Sequence, residues 1–418
     1  MKRFSNKYIN CILILISSIL VGTLLLVCLY SIPTERARTN IKNSIEMYDE
    51  NVIKTWNGNI RYGKLDTATD IYMINSAVSR KYDSSLMNAM LNPQFDIKDK
   101  TQDPQRKALI RALNKEDVEY SDYSRYWHGY SVYIIPGLYF FEIGELKTLI
   151  MCFCIIITSL VFVELAKKSM AYMLLFSIVV SFLNPVSIIM NFAITNVYFI
   201  SIIAMYLVLK WNHYFIKDNR YICLFLIIGI FTSFFDFLTY PLVSWGLPII
   251  TLLLINKKVD ISIFPLLVKI SVMWCVGYIG MWAGKWCVAS ILTGVDVISN
   301  ALNAFSARSL NIVENANTFS FFDVVSRQFE VFDRPIIVLM LLGISIIAQI
   351  IYKSPKLSLN SLFKFDVLIL LLISISPLVW FFVAKNHVYY HPWYEYRNLA
   401  ITLWALYCSF IKLVKRDN

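Results

Sequence analysis

Ile9-Asn-Cys-Ile-Leu-Ile-Leu-Ile-Ser-Ser-Ile-Leu-Val-Gly-Thr-Leu-Leu-Leu-Val-Cys-Leu-Tyr30 is the stretch on which the fold turns. At about 1.5 Å of rise per residue, a helix of this length crosses the roughly 30 Å hydrocarbon core of a bilayer. Met1-Lys2-Arg3 and Lys7 precede it, it is too long for a signal-peptide core, and no small-x-small cleavage site follows. It reads as an uncleaved first span. Nine further apolar runs follow, near 147–165, 170–188, 195–211, 221–237, 239–256, 262–283, 335–352, 366–384 and 398–414. About ten spans put both termini on one side of the membrane. Composition agrees, since 57% of the 418 residues are apolar and only 16% charged. The expected fold class is an all-α polytopic membrane protein of the cell membrane.

The basic residues orient it. With the N-terminus inside, Lys2, Arg3 and Lys7, then Lys167 and Lys168, Lys257 and Lys258, Lys353 and Lys356, and finally Lys412, Lys415 and Arg416 all fall in inner segments. The short outer loops contain only Lys385 and Arg397. That asymmetry is the positive-inside pattern and places both termini in the cytoplasm. It also accounts for the net charge of +11 as clusters between spans rather than a nucleic-acid-binding patch. The chain then divides into a first span (1–30), a large first extracytoplasmic loop (31–143), spans two to seven (144–283), a second extracytoplasmic loop (284–334) and spans eight to ten (335–418). All eight cysteines lie in or beside apolar runs, which indicates neither a disulfide framework nor a cysteine-rich metal site.

The first loop has structure of its own. Ala37, Ile41, Ile45, Tyr48 and Val52 recur at helical spacing over 35–54, with Pro33-Thr34 as a start. Asp103-Pro104 reads as an N-cap and first helical residue of a short helix ending near Asn114. Ser131 to Phe141 is apolar, too short to span and broken by Pro136-Gly137, which predicts an interfacial or re-entrant segment.

Polar residues collect at the outer ends. Tyr123-Ser-Arg-Tyr-Trp-His-Gly-Tyr130 gathers Arg125, Trp127, His128 and three tyrosines just before apolar sequence resumes. It reads either as an aromatic belt with one snorkelling arginine or as rings and nitrogens turned to a bound anion or sugar. Asp66-Thr-Ala-Thr-Asp70 sets two carboxylates four apart. At helical spacing like charge would raise one pKa, useful in a general base, while the alternative is an N-capping aspartate. Glu35 is the first acid after the first span. Asp236, within Phe234-Phe-Asp-Phe-Leu-Thr-Tyr-Pro241, is a carboxylate among apolar neighbours, and needs either a basic partner or a role in a site.

Lys285 lies between Trp282 and Trp286, placed either to snorkel or to meet a lipid phosphate. Asn386-His-Val-Tyr-Tyr-His-Pro-Trp-Tyr-Glu-Tyr-Arg397 brings His391, Tyr396 and Arg397 into the last outer loop. Aromatic rings stack on sugars and arginine binds phosphate through two parallel hydrogen bonds, against which stands another interfacial belt. No Walker loop, dinucleotide fingerprint, Asp-x-Asp pair or His-Glu-x-x-His helix occurs. No cofactor is evident, and spacing neither requires nor excludes a divalent metal.

One span, a large outer loop with amphipathic helices and acids, then many spans: this layout resembles the GT-C class of membrane glycosyltransferases. More narrowly, Leu65-Asp-Thr-Ala-Thr-Asp-Ile-Tyr-Met73, Arg125-Tyr-Trp-His-Gly-Tyr130, Phe235-Asp-Phe-Leu-Thr-Tyr-Pro241, Trp282-Ala-Gly-Lys-Trp286 and Tyr396-Arg-Asn-Leu-Ala400 are similar to segments of a group of bacterial integral membrane proteins. The wider resemblance implies transfer of a sugar from a polyprenyl-phosphate donor to a cell-envelope glycan acceptor. It also implies a first-loop acid as catalytic base, often close after the first span. Asp70 lies about forty residues past that span, which leaves Asp70 and Glu35 both open. Arg125, Lys285 and Arg397 would hold the phosphate. A lipid-linked-sugar flippase and a non-catalytic envelope assembly protein are the other classes; a flippase would place charges within spans and show two matching halves.

Overall fold

A computed structural model describes residues 2–48, 53–55, 61–97, 103–256, 261–309, 319–352 and 364–414. Most of each of the ten apolar runs is helical, although residues 183–184 and 236–242 are not. The first part of the chain forms α1 (Lys2–Tyr30), α2 (Glu35–Ser44), α3 (Thr67–Val78), α4 (Ser85–Leu91), α5 (Pro104–Leu113) and α6 (Ser131–Phe140). The middle forms α7 (Ile143–Lys168), α8 (Met170–Phe182), α9 (Pro185–Met190), α10 (Phe192–Ile216), α11 (Tyr221–Phe235), α12 (Val243–Ile255) and α13 (Phe264–Thr293). The last part forms α14 (Val297–Ser309), α15 (Phe321–Phe329), α16 (Arg334–Tyr352), α17 (Phe365–Ser374), α18 (Ser376–Val383), α19 (Lys385–Tyr390), α20 (Pro392–Glu395) and α21 (Leu399–Val414).

Among the described residues, five stretches are long and apolar enough to cross a membrane: Lys7–Tyr30, Ile143–Lys168, Phe192–Asn219, Ile261–Thr293 and Phe365–Val383. Shorter apolar helices, α8, α11 and α12 among them, pack beside these. The chain is a predominantly helical, multi-pass membrane protein. α13 runs along α11, α10 along α12 and α17 along α21. On α1, Leu13, Leu20 and Leu24 are left exposed, as expected of a helix with lipid on one side.

The polar segment between α1 and α7 packs onto the bundle through α4, which touches both α1 and α13, and through α6, which touches α1. Asp103 N-caps α5 by accepting from Arg106 N at 3.3 Å, with Pro104 as first helical residue. The helix expected over 35–54 is shorter. α2 and one further turn over Ile45–Met47 end at Tyr48, with Ala37, Ile41, Ile45 and Tyr48 all buried, and Val52 lies outside the described residues. The break expected at Pro136-Gly137 does not occur, because α6 continues through Pro136 and ends where Phe141 N bonds Gly137 O.

α13 also outruns its expected end at 283. Nothing interrupts it before Gly294, whose φ of +72° closes the helix in the left-handed conformation that glycine adopts without penalty. Two small antiparallel ribbons were not anticipated: β1 (Ile53–Thr55) with β2 (Lys64–Asp66), and β3 (Pro93–Asp96) with β4 (Glu119–Asp122), where Gln94 faces Ser121. Three or four residues are too few for an alternation to register in a sequence.

Candidate functional site

The Tyr123–Tyr130 stretch is a structural hub. Gly129 N donates to Phe234 O at 2.9 Å, and a Cβ at position 129 would fall 2.3 Å from the Phe234 ring and 2.4 Å from that carbonyl. Only glycine lets the two backbones meet there. Trp127, fully buried, donates its indole N–H to Met281 O at 2.6 Å, which ties the stretch to α13. His128 Nε2 donates to Tyr123 O at 2.6 Å, so its Nδ1 accepts from Tyr130 OH at 2.8 Å. Burial pushes the His128 ring down to about 3, and it is a neutral brace. Tyr123 and Tyr130 both stack on Phe237, with ring centres 5.8 and 5.3 Å away. Arg125 is left free of this packing. Its guanidinium lies 4.5 Å from the Tyr123 ring centre, and Nε has no hydrogen-bond partner among the described residues.

Phe237 and Leu238 belong to a strained turn. Asp236 accepts from Thr239 N at 3.0 Å and Thr239 Oγ1 at 2.5 Å, while Leu238 takes a φ of +62°. His387 Nε2 holds the turn by donating to Leu238 O at 2.6 Å. Two cavities flank it. A polar one of about 400 Å³ is lined by Thr69, Gln94, Asp122, Phe237, His391 and Tyr394, among others. An apolar one of about 460 Å³ is lined by Leu238, Trp274, Tyr278, Trp282, Trp286 and Phe305, among others. Arg125, Tyr126 and Arg308 line both. Both guanidiniums lie within 6 Å of the Tyr126 ring centre, and neither has a carboxylate at ion-pair distance among the described residues. Two cations with no carboxylate partner among the described residues thus stand between an apolar cavity and a polar one, surroundings that suit a bound anion.

Next to the chamber, His391 stacks on His387 with ring centres 4.4 Å apart. Its Nδ1 donates to His387 O at 3.0 Å, which leaves the Nε2 lone pair open. Burial lowers the His391 pKa, with Asp66 pulling the other way. Beneath them Glu395 is fully buried, accepts from Trp380 Nε1 at 2.9 Å and Asn398 Nδ2 at 2.7 Å, and is raised well above the usual carboxylate range by burial.

Other expected site residues line neither cavity. Asp66 is the N-cap of α3, accepting from Thr69 N at 2.9 Å and from Trp393 Nε1 at 3.2 Å. Asp70, one turn on, is fully buried and lines neither cavity. Its Oδ2 accepts from Lys147 Nζ at 2.9 Å and Tyr48 OH at 3.0 Å. Burial, not the like charge of Asp66, raises its pKa, and Lys147 pulls it back. Glu35 is exposed on the first turn of α2, away from both cavities.

Lys285 does not reach outward. Because α13 continues past it, its Nζ is fully buried and donates to Met90 O at 2.9 Å and Ala89 O at 3.3 Å, in the last turn of α4, where a helix favours a cation. Arg397 is likewise inside, donating to Leu183 O at 2.9 Å and to Trp393 O, and Tyr396 packs against Phe182 and Tyr62. Asp236 closes its turn and lines neither cavity. Of the site residues expected from sequence, the structure brings Arg125 and His391 to one chamber, with Trp127, His128 and Asp236 supporting its walls.

Sequence reading missed Arg308, Gln94 and Lys147. Arg308 had a signal: Val297, Ala301 and Arg308 recur four and seven apart, on one helical face. Lys147, at the outer end of an expected span, is a cation against the orientation rule. Among the described residues no three His, Cys, Asp or Glu side chains converge to hold a metal ion. No family model, curated protein or solved structure matches the chain.

Proposed function

We propose that this chain is a membrane glycosyltransferase that moves a sugar from a polyprenyl-phosphate donor to a glycan acceptor on the outer face of the membrane. The observation that carries the reading is the meeting of an apolar and a polar cavity at Arg125, Tyr126 and Arg308. A lipid phosphate has this shape: a tail for the groove, a charge for the arginines, a sugar for the chamber. Every lining residue of the polar cavity except Phe237, at the outer end of an expected span, belongs to a segment that the basic-residue asymmetry assigns to the outside, which supports the site facing that way. Cysteines placed at Lys115 and Asn303 should therefore react with an impermeant reagent on intact cells while one at Lys168 stays protected; the reverse pattern would invert the topology.

In the reaction an acceptor hydroxyl attacks the anomeric carbon and the bond from that carbon to the phosphate oxygen breaks. The electron pair leaves with the phosphate, whose growing charge Arg125 and Arg308 stabilise. The hydroxyl proton goes to His391 Nε2, the open lone pair at the chamber wall, in place of Asp70, whose carboxylate is committed to Lys147 and Tyr48. A base must be unprotonated. Because burial sets the His391 pKa below 6.5, the ring is neutral at pH 7, and the rate should fall on acidification only below pH 6.5. His391→Gln should lower kcat by about 10²–10⁴-fold and remove that acid limb; a variant that keeps the limb would return the role to an acid.

Release of lipid phosphate from polyprenyl-phosphate sugars, followed on the purified chain in nanodiscs, tests the activity. Lipid binding without any release would leave the flippase or assembly reading in its place.

A further inference from the structure

Gln94 is 1% exposed, lines the polar cavity, and has neither its Oε1 nor its Nε2 hydrogen-bonded among the described residues. A buried carboxamide with donor and acceptor both open is unfavourable unless something meets them. The strand around it is pinned: Asn75 accepts from Phe95 N at 2.9 Å and donates to Phe95 O at 3.0 Å. Across the ribbon Ser121, the register partner of Gln94, and Asp122 line the same cavity. Tyr72 and Tyr123 add aromatic faces to it, their ring centres 6.0 Å apart and inclined by 51°.

We propose that this wall is a binding subsite for a neutral sugar ring carrying a hydrogen-bond donor and an acceptor on adjacent positions. The Gln94 carboxamide takes both, donating from Nε2 and accepting at Oε1, and a tyrosine ring stacks against the sugar's apolar face. Vicinal hydroxyls and an acetamido group both present such a pair. Asp122 accepts from Tyr82 OH at 2.8 Å and pairs with Lys81 at 3.3 Å, so its charge is already matched and the uncharged Gln94 amide sets the preference of this wall. The site deepens the glycosyltransferase reading, and rests on it only for the sugar's role as acceptor.

Saturation-transfer NMR on the purified full chain in nanodiscs tests it with two soluble neutral probes, methyl glucoside and N-acetylglucosamine. At least one of them should give a signal. Gln94→Leu should cut the neutral-sugar signal at least tenfold while the melting temperature stays equal or rises, since leucine fills the space with no unpaired atoms. An unchanged signal in that variant, or no signal from either sugar, would overturn the subsite. Should Gln94→Leu not fold, Ser121→Ala decides: a threefold or larger loss supports the site and no change rejects it. Binding of a sugar-free polyprenyl phosphate to the same preparation reads the functional proposal separately. Lipid bound without sugar defeats the subsite alone, and sugar bound without lipid defeats the donor reading alone.

Discussion

Arg125→Ala together with Arg308→Ala will weaken binding of a polyprenyl phosphate by roughly a hundred- to ten-thousand-fold. Hydrogen bonds to a charged group contribute about 1.5–3 kcal/mol each, so losing one from each arginine costs about 3–6 kcal/mol. Neither guanidinium has a carboxylate partner among the described residues, and removing them leaves no opposite charge stranded. The fold should therefore survive. Trp274, Trp282 and Trp286 line the groove and make indole fluorescence a direct readout of the tail. Lys285, expected from sequence to share this duty, faces α4, so Lys285→Met should leave lipid affinity within a few-fold. A double arginine variant that binds the lipid as the parent does would remove the basis of the functional proposal.

Asp70→Asn will destabilise the protein by about 3 kcal/mol, the lower end of the cost of removing one partner from a buried ion pair. The Asp70 side chain is fully buried and that of Lys147 only 12% exposed. Asparagine restores a hydrogen bond but leaves the ammonium without counter-charge, between Met190 O at 2.5 Å and the Tyr48 and Phe192 rings. From the sequence alone the same substitution reads as silent for stability, because capping ability is kept. Asp66, not Asp70, is the cap. Adding Lys147→Met should recover most of the loss in a thermal-unfolding cycle. A melting temperature for Asp70→Asn equal to the parent's would mean that the pair contributes nothing.

The legible part of this protein was set by solvent preference. Apolar runs separate from polar ones at the scale of a bilayer, so the helices at Ile9–Tyr30 or Phe365–Val383 can be read directly, and the capping chemistry of Asp103-Pro104 needs only neighbouring residues. What could not be read was direction. Arg125, Lys285 and Arg397 look alike in sequence, each a cation among aromatic rings at an outer end. Only the packing tells that one opens on a cavity while the other two bond the carbonyls of α4 and of the residue that follows α8. Gln94 was invisible for the complementary reason, as an amide with no partner among the described residues leaves no pattern in a sequence.

The turn holding Phe237 and Leu238 is a wall one backbone thick, with consecutive residues facing different chambers. Arg125, Tyr126 and Arg308 belong to both sides. An occupant on either side therefore meets a surface already shaped by the other, and the two occupancies are thermodynamically linked. By reciprocity, whatever factor a bound lipid phosphate applies to the affinity for a sugar, the sugar must return to the lipid.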